Sequence, residues 1–319
     1  MKRREFIRQS FEATAASILI GGGALWLGSR ENETNAATAI FEPKNYRTKI
    51  DPDRPVLASV RGKNYTRAVE LAIDALGGIG AFITAGDYVC IKPNIGWDRT
   101  AAQGANTHPD IVAELTNLCH QAGAAKIVVI DVPCSAPERS YARSGIKAAA
   151  EKQGAEVIIA DDSYLREIDF GRDSLGKWQV LKPVLECNKV INMPVVKHHS
   201  LCGMTGAMKN WFGALSGPRN RLHQQIDDNL VELCRLFQPT LTIADATRVM
   251  QRNGPTGGRP DDLIEFDCVV ASIDQVAIES YSTRFLKKNP ADFPFIGEAE
   301  RQGLGVIHPP NSKIAEIEI

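Results

Sequence analysis

Four short apolar runs constrain this chain more than any other feature: D-Y-V-C-I at residues 87–91, K-I-V-V-I at 126–130, E-V-I-I-A at 156–160 and K-V-I-N-M at 189–193. A strand with one wet face alternates apolar and polar residues. A strand that is apolar at nearly every position is covered on both sides, as in a parallel sheet flanked by helices. Helical periods separate the first three runs, and both stop at glycine. Residues 109–121 carry Pro109 in the first turn and Gly123 past the end, and residues 138–153 are closed by Gly154. Upstream, 56–60 reads as a strand and 65–76 as a helix stopped by Gly77-Gly78. Downstream, 229–237 reads as a helix, 241–244 and 268–272 as strands, and 275–286 as a helix. The alternation predicts an α/β fold with an open, mostly parallel sheet and helices on both faces. Residues 121–131 echo 153–161, but that spacing is what successive βα units give, and no duplication is inferred.

The first 39 residues follow different rules. Arg3-Arg4-Glu5-Phe6-Ile7-Arg8 precedes an uncharged run at 13–27, and Ala37-Thr38-Ala39 supplies small residues at cleavage-site spacing. This is the pattern of a twin-arginine (Tat) signal peptide. It predicts an exported, periplasmic protein that meets the twin-arginine translocase as a partner. The uncharged run is shorter than the roughly 20 apolar residues of a membrane span and contains Gly21, Gly22 and Gly23. Cleavage is therefore preferred over retention as an anchor. The expected organisation is a signal peptide at 1–39, a polar linker at 40–55, an α/β domain at 56–288 and a C-terminal wrap at 289–319.

With 37 basic and 38 acidic residues the chain is near neutral, which excludes the basic footprint of a nucleic-acid binder. Seven cysteines are present and none forms a C-x-x-C pair, so neither an iron–sulfur motif nor a zinc ribbon is present. A metal ion or an anionic organic cofactor stays open.

In an open parallel sheet, ligands bind beyond the carboxyl ends of the strands. There the sequence places Lys92 and Asn94 after the first run and Asp131 after the second. Lys197, His198 and His199 follow the 189–193 run, and Asp245 follows 241–244. Adjacent histidines in a strand point to opposite faces, so one of the two is expected in the cleft. Thr205 is placed to cap a helix running through Lys209 and Trp211, with Gly206 permitting close approach. A helix start beside lysines is a natural anion site. Thr107 is a natural cap for the helix at 109, with His108 at its mouth. The loop after Asp245 carries Asn253 and Gly254, but it is neither a P-loop nor a dinucleotide fingerprint.

These segments together resemble a known family. Ile91-Lys92-Pro93-Asn94, Thr107-His108-Pro109-Asp110, Lys197-His198, Thr205-Gly206-Ala207-Met208-Lys209-Asn210, and Asn253-Gly254-Pro255 with Gly258 are similar in order and spacing to the domain of unknown function 362 (DUF362), over residues 56–286. The resemblance implies a shared pocket without a settled reaction. Some relatives carry an appended ferredoxin module. This chain lacks its cysteine pattern, so cluster binding is not implied. Cys202 stands where the family pattern leads one to expect Thr or Ala.

The expectation is an exported enzyme acting on an anionic small molecule by redox or metal-assisted chemistry. His108, His198, Lys197, Lys209 and Asp245 are its catalytic candidates. Lys92, Asn94, Thr205, Gly206, Asn210, Asn253 and Gly254 are expected to bind cofactor or substrate, and His108, His198 and Asp131 are a candidate metal set. The alternatives are an exported anion-binding protein and an assembly factor for an exported redox partner.

Overall fold

The computed structural model describes residues 44–48, 51–171 and 175–319. The expected signal peptide lies outside the described residues. Thirteen strands are described: β1 (Leu57–Arg61), β2 (Tyr88–Pro93), β3 (Lys126–Ile130), β4 (Glu156–Ile158), β5 (Leu165–Asp169), β6 (Lys177–Leu181), β7 (Lys189–Met193), β8 (Val195–His199), β9 (Gly203–Thr205), β10 (Leu215–Ser216), β11 (Leu241–Met250), β12 (Leu263–Ser272) and β13 (Ile314–Glu318).

The main sheet runs β13-β1-β12-β11-β7-β2-β3-β4, with β8 branching from β11 and β9 from β8; β10-β6-β5 form a second, small sheet. The expected strands at 87, 126, 156 and 189 become the parallel block β2, β3, β4 and β7. The sheet is mixed because β12 runs antiparallel to both β1 and β11. The fold is α/β with mostly parallel pairing, as the apolar runs imply.

Each strand of the block divides its side chains between two cores. Val89, Ile91, Ile127 and Val129 face one layer, packed under the helices Tyr65–Ala75, Pro109–Gln121, Pro137–Ser144 and Ile146–Lys152. Cys90, Val128 and Ile130 face the other, beneath the helices Ile226–Leu236, Gln275–Ser282 and Pro294–Arg301. Burying one such aliphatic side chain stabilises the fold by about 1.5–3 kcal/mol. Double-sided burial is thus what selects nearly continuous apolar runs.

Three differences from the sequence reading have local causes. The helix expected at 138–153 breaks at Gly145, whose φ of +78° ends one helix and starts the next. The 289–319 tail does more than wrap: β13 pairs in parallel with β1 and extends the sheet. The small sheet escaped notice because L-R-E-I-D and K-W-Q-V-L are short and rich in polar residues. No helix among the described residues is long and apolar enough to cross a membrane.

Candidate functional site

The carboxyl ends of β2, β3 and β7 open onto a cleft, with β8 along one side. Its foundation is an ion pair. Lys92, at the end of β2, donates from Nζ to Asp131 Oδ1 at 2.7 Å and to the carbonyl of Pro93 at 3.1 Å. The backbone N–H of Ile95 donates to Asp131 Oδ2 at 2.7 Å. Both side chains are buried. Burial pushes the ammonium down and the carboxyl up, and their mutual contact opposes each shift. The short 3₁₀ helix Lys209–Ala214 lies directly on the pair. It does so through Gly213, where an added Cβ would overlap Asp131 Oδ1 and come within 2.8 Å of Lys92 Nζ.

Above the pair runs a chain of amides. Asn94 Nδ2 donates to Asn210 Oδ1 at 3.1 Å, and Asn210 Nδ2 donates to Asn192 Oδ1 at 2.8 Å and to the Lys92 carbonyl at 3.2 Å. Asn192 Nδ2 donates to the carbonyl of Ala207 at 2.8 Å. Thr107 Oγ1 accepts from the Asn94 N–H and donates to the Met193 carbonyl. The network joins β2, β7 and the segment carrying Lys209, and fixes them relative to one another.

Three cations converge here. Lys197, on β8 and 1% exposed, reaches Asn94 Oδ1 at 3.3 Å and the carbonyl of Ala105. Burial holds its ammonium down to about 7. Lys209 has its Nζ 3.3 Å from His223 Nε2 and 3.3 Å from the centroid of the Phe212 ring. Burial holds it down to about 8. Arg219 donates only to carbonyls, those of Val132, Pro133 and Phe212, and to Cys134 Sγ. Among the described residues, none of the three has a carboxylate within ion-pair distance. His199 stacks on His223 with ring centroids 5.6 Å apart. Burial, with Lys209 nearby, holds His199 down to about 3, so it is neutral at physiological pH. His223 is lowered for the same reasons.

The cleft has two chambers. The outer has a volume of about 470 Å³ and the inner about 70 Å³. Trp97, Cys134, His199, Lys209, Phe212, Arg219 and Pro255 line both and form the neck.

Lys197, Lys209, Asn94, Thr205, Asn210 and Asp131 line the inner chamber together, as the sequence reading grouped them at one sheet edge. Lys92 lies beneath it, wholly buried. The other candidates are placed elsewhere. His108 caps the helix Pro109–Gln121: its Nδ1 accepts from the Asp110 N–H at 3.3 Å, and its ring packs edge-on to Tyr65. The expected cap, Thr107, instead ties β2 to β7. In β8 the alternation puts His199, rather than His198, in the cleft with Lys197. His198 Nδ1 accepts from the Gly254 N–H at 3.1 Å. Asp245 braces a loop, accepting from the His108 N–H and from Thr247, so it orients no lysine or histidine ring. Asn253 binds Asp262, and of the loop residues Asn253, Gly254 and Pro255 only Pro255 reaches the cleft.

Thr205 caps no helix. It ends β9, and Met208 precedes the 3₁₀ helix. Gly206 is needed for space, since a Cβ there would run into the Glu279 carboxylate. That carboxyl is raised to about 7 by burial, and its Oε2 accepts from the Met208 N–H at 3.1 Å. Among the described residues no group of three or more His, Cys, Asp or Glu is placed to hold a metal ion, so His108, His198 and Asp131 do not form a metal set.

Sequence reasoning missed Trp97, Cys134, Phe212, Arg219 and His223. The available signal was the stretch Gly217-Pro218-Arg219-Asn220-Arg221-Leu222-His223, a turn unusually dense in cations beside a histidine.

A family model described as Domain of unknown function (DUF362) matches residues 89–284. A protein of Synechocystis sp. described as thylakoid-associated is 29% identical over 246 residues, covering 73% of each chain. Among solved structures, the lactate racemase apoprotein from Thermoanaerobacterium thermosaccharolyticum aligns with a TM-score of 0.40 at 10% identity, over 74% of this chain and 58% of that one. A protein from Thermotoga maritima aligns with a TM-score of 0.37 at 8% identity, over 76% of this chain and 60% of its own. This chain spans less than two thirds of the length of either solved chain.

Proposed function

We propose that in this chain, which belongs to the DUF362 family, the cleft above the Lys92–Asp131 pair is the working site. There the protein binds an anionic small molecule and moves a proton on it. The observation that carries this reading is the cation excess. Lys209 and Arg219 at the neck and Lys197 in the inner chamber have no counter-carboxylate among the described residues, while the nearby carboxylate, Asp131, is held by Lys92 and Ile95. Uncompensated buried charge is costly, and an anionic ligand supplies the missing partner.

Lys197 is the proposed acid–base group. An ammonium held near 7 is present in both protonation states at neutral pH, the condition for efficient proton transfer. Asn94 and Asn210 would position the ligand, with Lys209 and Arg219 holding its charge.

Export through the twin-arginine route is part of the same proposal. It is supported by Arg3-Arg4 and by Ala37-Thr38-Ala39. The description of the Synechocystis relative as thylakoid-associated supports a membrane-associated or exported place of work.

The binding step is tested by titrating sulfate into the protein by calorimetry. Losing a charge-assisted hydrogen bond costs about 1.5–3 kcal/mol, so Lys197→Met and Lys209→Met should each weaken sulfate at least tenfold. Unchanged affinity in both variants would overturn the reading.

A further inference from the structure

The two chambers differ in size and in the cations that line them, and the difference speaks to the ligand's body; the inference rests on the anion-binding reading above. The inner chamber, about 70 Å³, holds the side chains of Asn94, Asp131, Lys197, Thr205 and Asn210 beside Val132 and the backbone of Gly96 and Gly213. Space of that order accommodates a group of carboxylate size or a water or two, and no more. The outer chamber, about 470 Å³, is within the range of small-molecule sites. Its walls include Trp97, Phe212, Leu201, Pro133 and Pro218. Both of its lysine and arginine side chains, Lys209 and Arg219, stand at the neck shared with the inner chamber.

The lysines and the arginine are therefore gathered at the inner chamber and the neck. Beyond the neck the outer chamber adds no further lysine or arginine for a ligand charged along its whole length. A small inorganic anion would leave the apolar walls facing water. Phe212 marks the boundary: the Lys209 ammonium sits over its ring at 3.3 Å, and His223 meets it edge-on at 5.4 Å. At the outer rim, on the turn between β8 and β9, Leu201 is 66% exposed. Leu201 lines the outer chamber, so an apolar ligand body seated there would cover it.

We propose that the natural ligand is an amphiphilic organic anion. Its carboxylate-sized head enters the inner chamber against Lys197. Its apolar, ring-sized body fills the outer chamber against Trp97, Phe212 and Leu201.

Cys134 provides the reporter. It lines both chambers and is exposed, whereas Cys202 is half-buried and Cys90, Cys119, Cys187, Cys234 and Cys268 are buried. The experiment measures the rate at which N-ethylmaleimide alkylates Cys134, read by peptide mass spectrometry. Acetate, 2-naphthoate and the uncharged 2-naphthamide are the competitors. Naphthoate should half-protect Cys134 at a concentration at least tenfold below that needed for either of the others. Leu201→Ser should weaken naphthoate protection several-fold and leave acetate unchanged.

Equal protection by naphthoate and acetate would overturn the amphiphile proposal and leave the anion site standing. Equal protection by naphthoate and naphthamide would remove the role of charge, and with it the underlying reading. Naphthoate that binds by calorimetry without protecting Cys134 would overturn the placement of the ligand body.

Discussion

Replacing Lys197 by Met should make this protein more stable at neutral pH while it weakens anion binding. Burial lowers the Lys197 ammonium from 10.5 to about 7. At about 1.36 kcal/mol per pKa unit, that difference corresponds to a folding cost of about 5 kcal/mol. The sign follows from the proton count. Below 10.5 the unfolded chain holds this proton, while the folded chain takes it up only near 7. The cost therefore grows as pH falls from 10.5 to 7 and stays constant below. Met removes the cost but leaves the buried Ala105 carbonyl without the ammonium, a loss of about 1–3 kcal/mol, whereas Asn94 Oδ1 is only partly buried and open to water. The net gain at pH 7 is about 2–4 kcal/mol. Urea unfolding of both proteins at pH 7 and pH 10.5 reads it directly, and titrating groups not coupled to Lys197 cancel in the difference. The advantage of Lys197→Met should be present at pH 7 and vanish or reverse by pH 10.5. A variant less stable at pH 7, or a difference independent of pH, would refute the reasoning.

Gly213→Ala should cost about 3–5 kcal/mol, because the new methyl group would separate Asp131 from Lys92 inside the core. Gly80→Ala, where a Cβ would meet nothing within 4 Å, should stay within about 1 kcal/mol of the parent; thermal unfolding of the pair compares them. His108→Ala should cost about 0.5–2 kcal/mol as a lost helix cap. In the same calorimetric titration it should leave sulfate affinity unchanged, because His108 lines neither chamber of the cleft.

Much of the fold was legible because double-sided burial writes itself into sequence. The runs at 87, 126, 156 and 189 are apolar at positions of both parities, and each became a strand of the parallel block. What was hidden depends on pairing between distant segments. β13 is short and carries two glutamates, yet it pairs with β1, more than 250 residues earlier. No local signal encodes that.

The site divides in the same way. Lys92, Asp131 and Lys197 were legible because the sheet topology places strand ends together, whatever the side chains do. Between His198 and His199, alternation says that two neighbours face apart without saying which faces the cleft; the register of β8 with β9 decides it. Thr205 and Thr107 looked like caps because a threonine before a helical period usually is one. Here both were recruited elsewhere, Thr205 into β9 and Thr107 into the bridge from β2 to β7. Arg219 and His223 come from a separate loop, and only tertiary packing brings them to the neck.

The central claim is that Lys197 and Lys209 bind an anion through their protonated forms. Sulfate keeps its charge between pH 6 and 9.5, and exposed lysines do too, so the pH dependence of its affinity reports the titrating groups of the cleft, and its loss in Lys197→Met and Lys209→Met assigns it to these two. Their ammonium forms are held down to about 7 and about 8. Calorimetric titration should show sulfate binding at least tenfold weaker at pH 9.5 than at pH 6, with protons taken up on binding in between. Affinity constant across that range, with no proton uptake, would contradict the account.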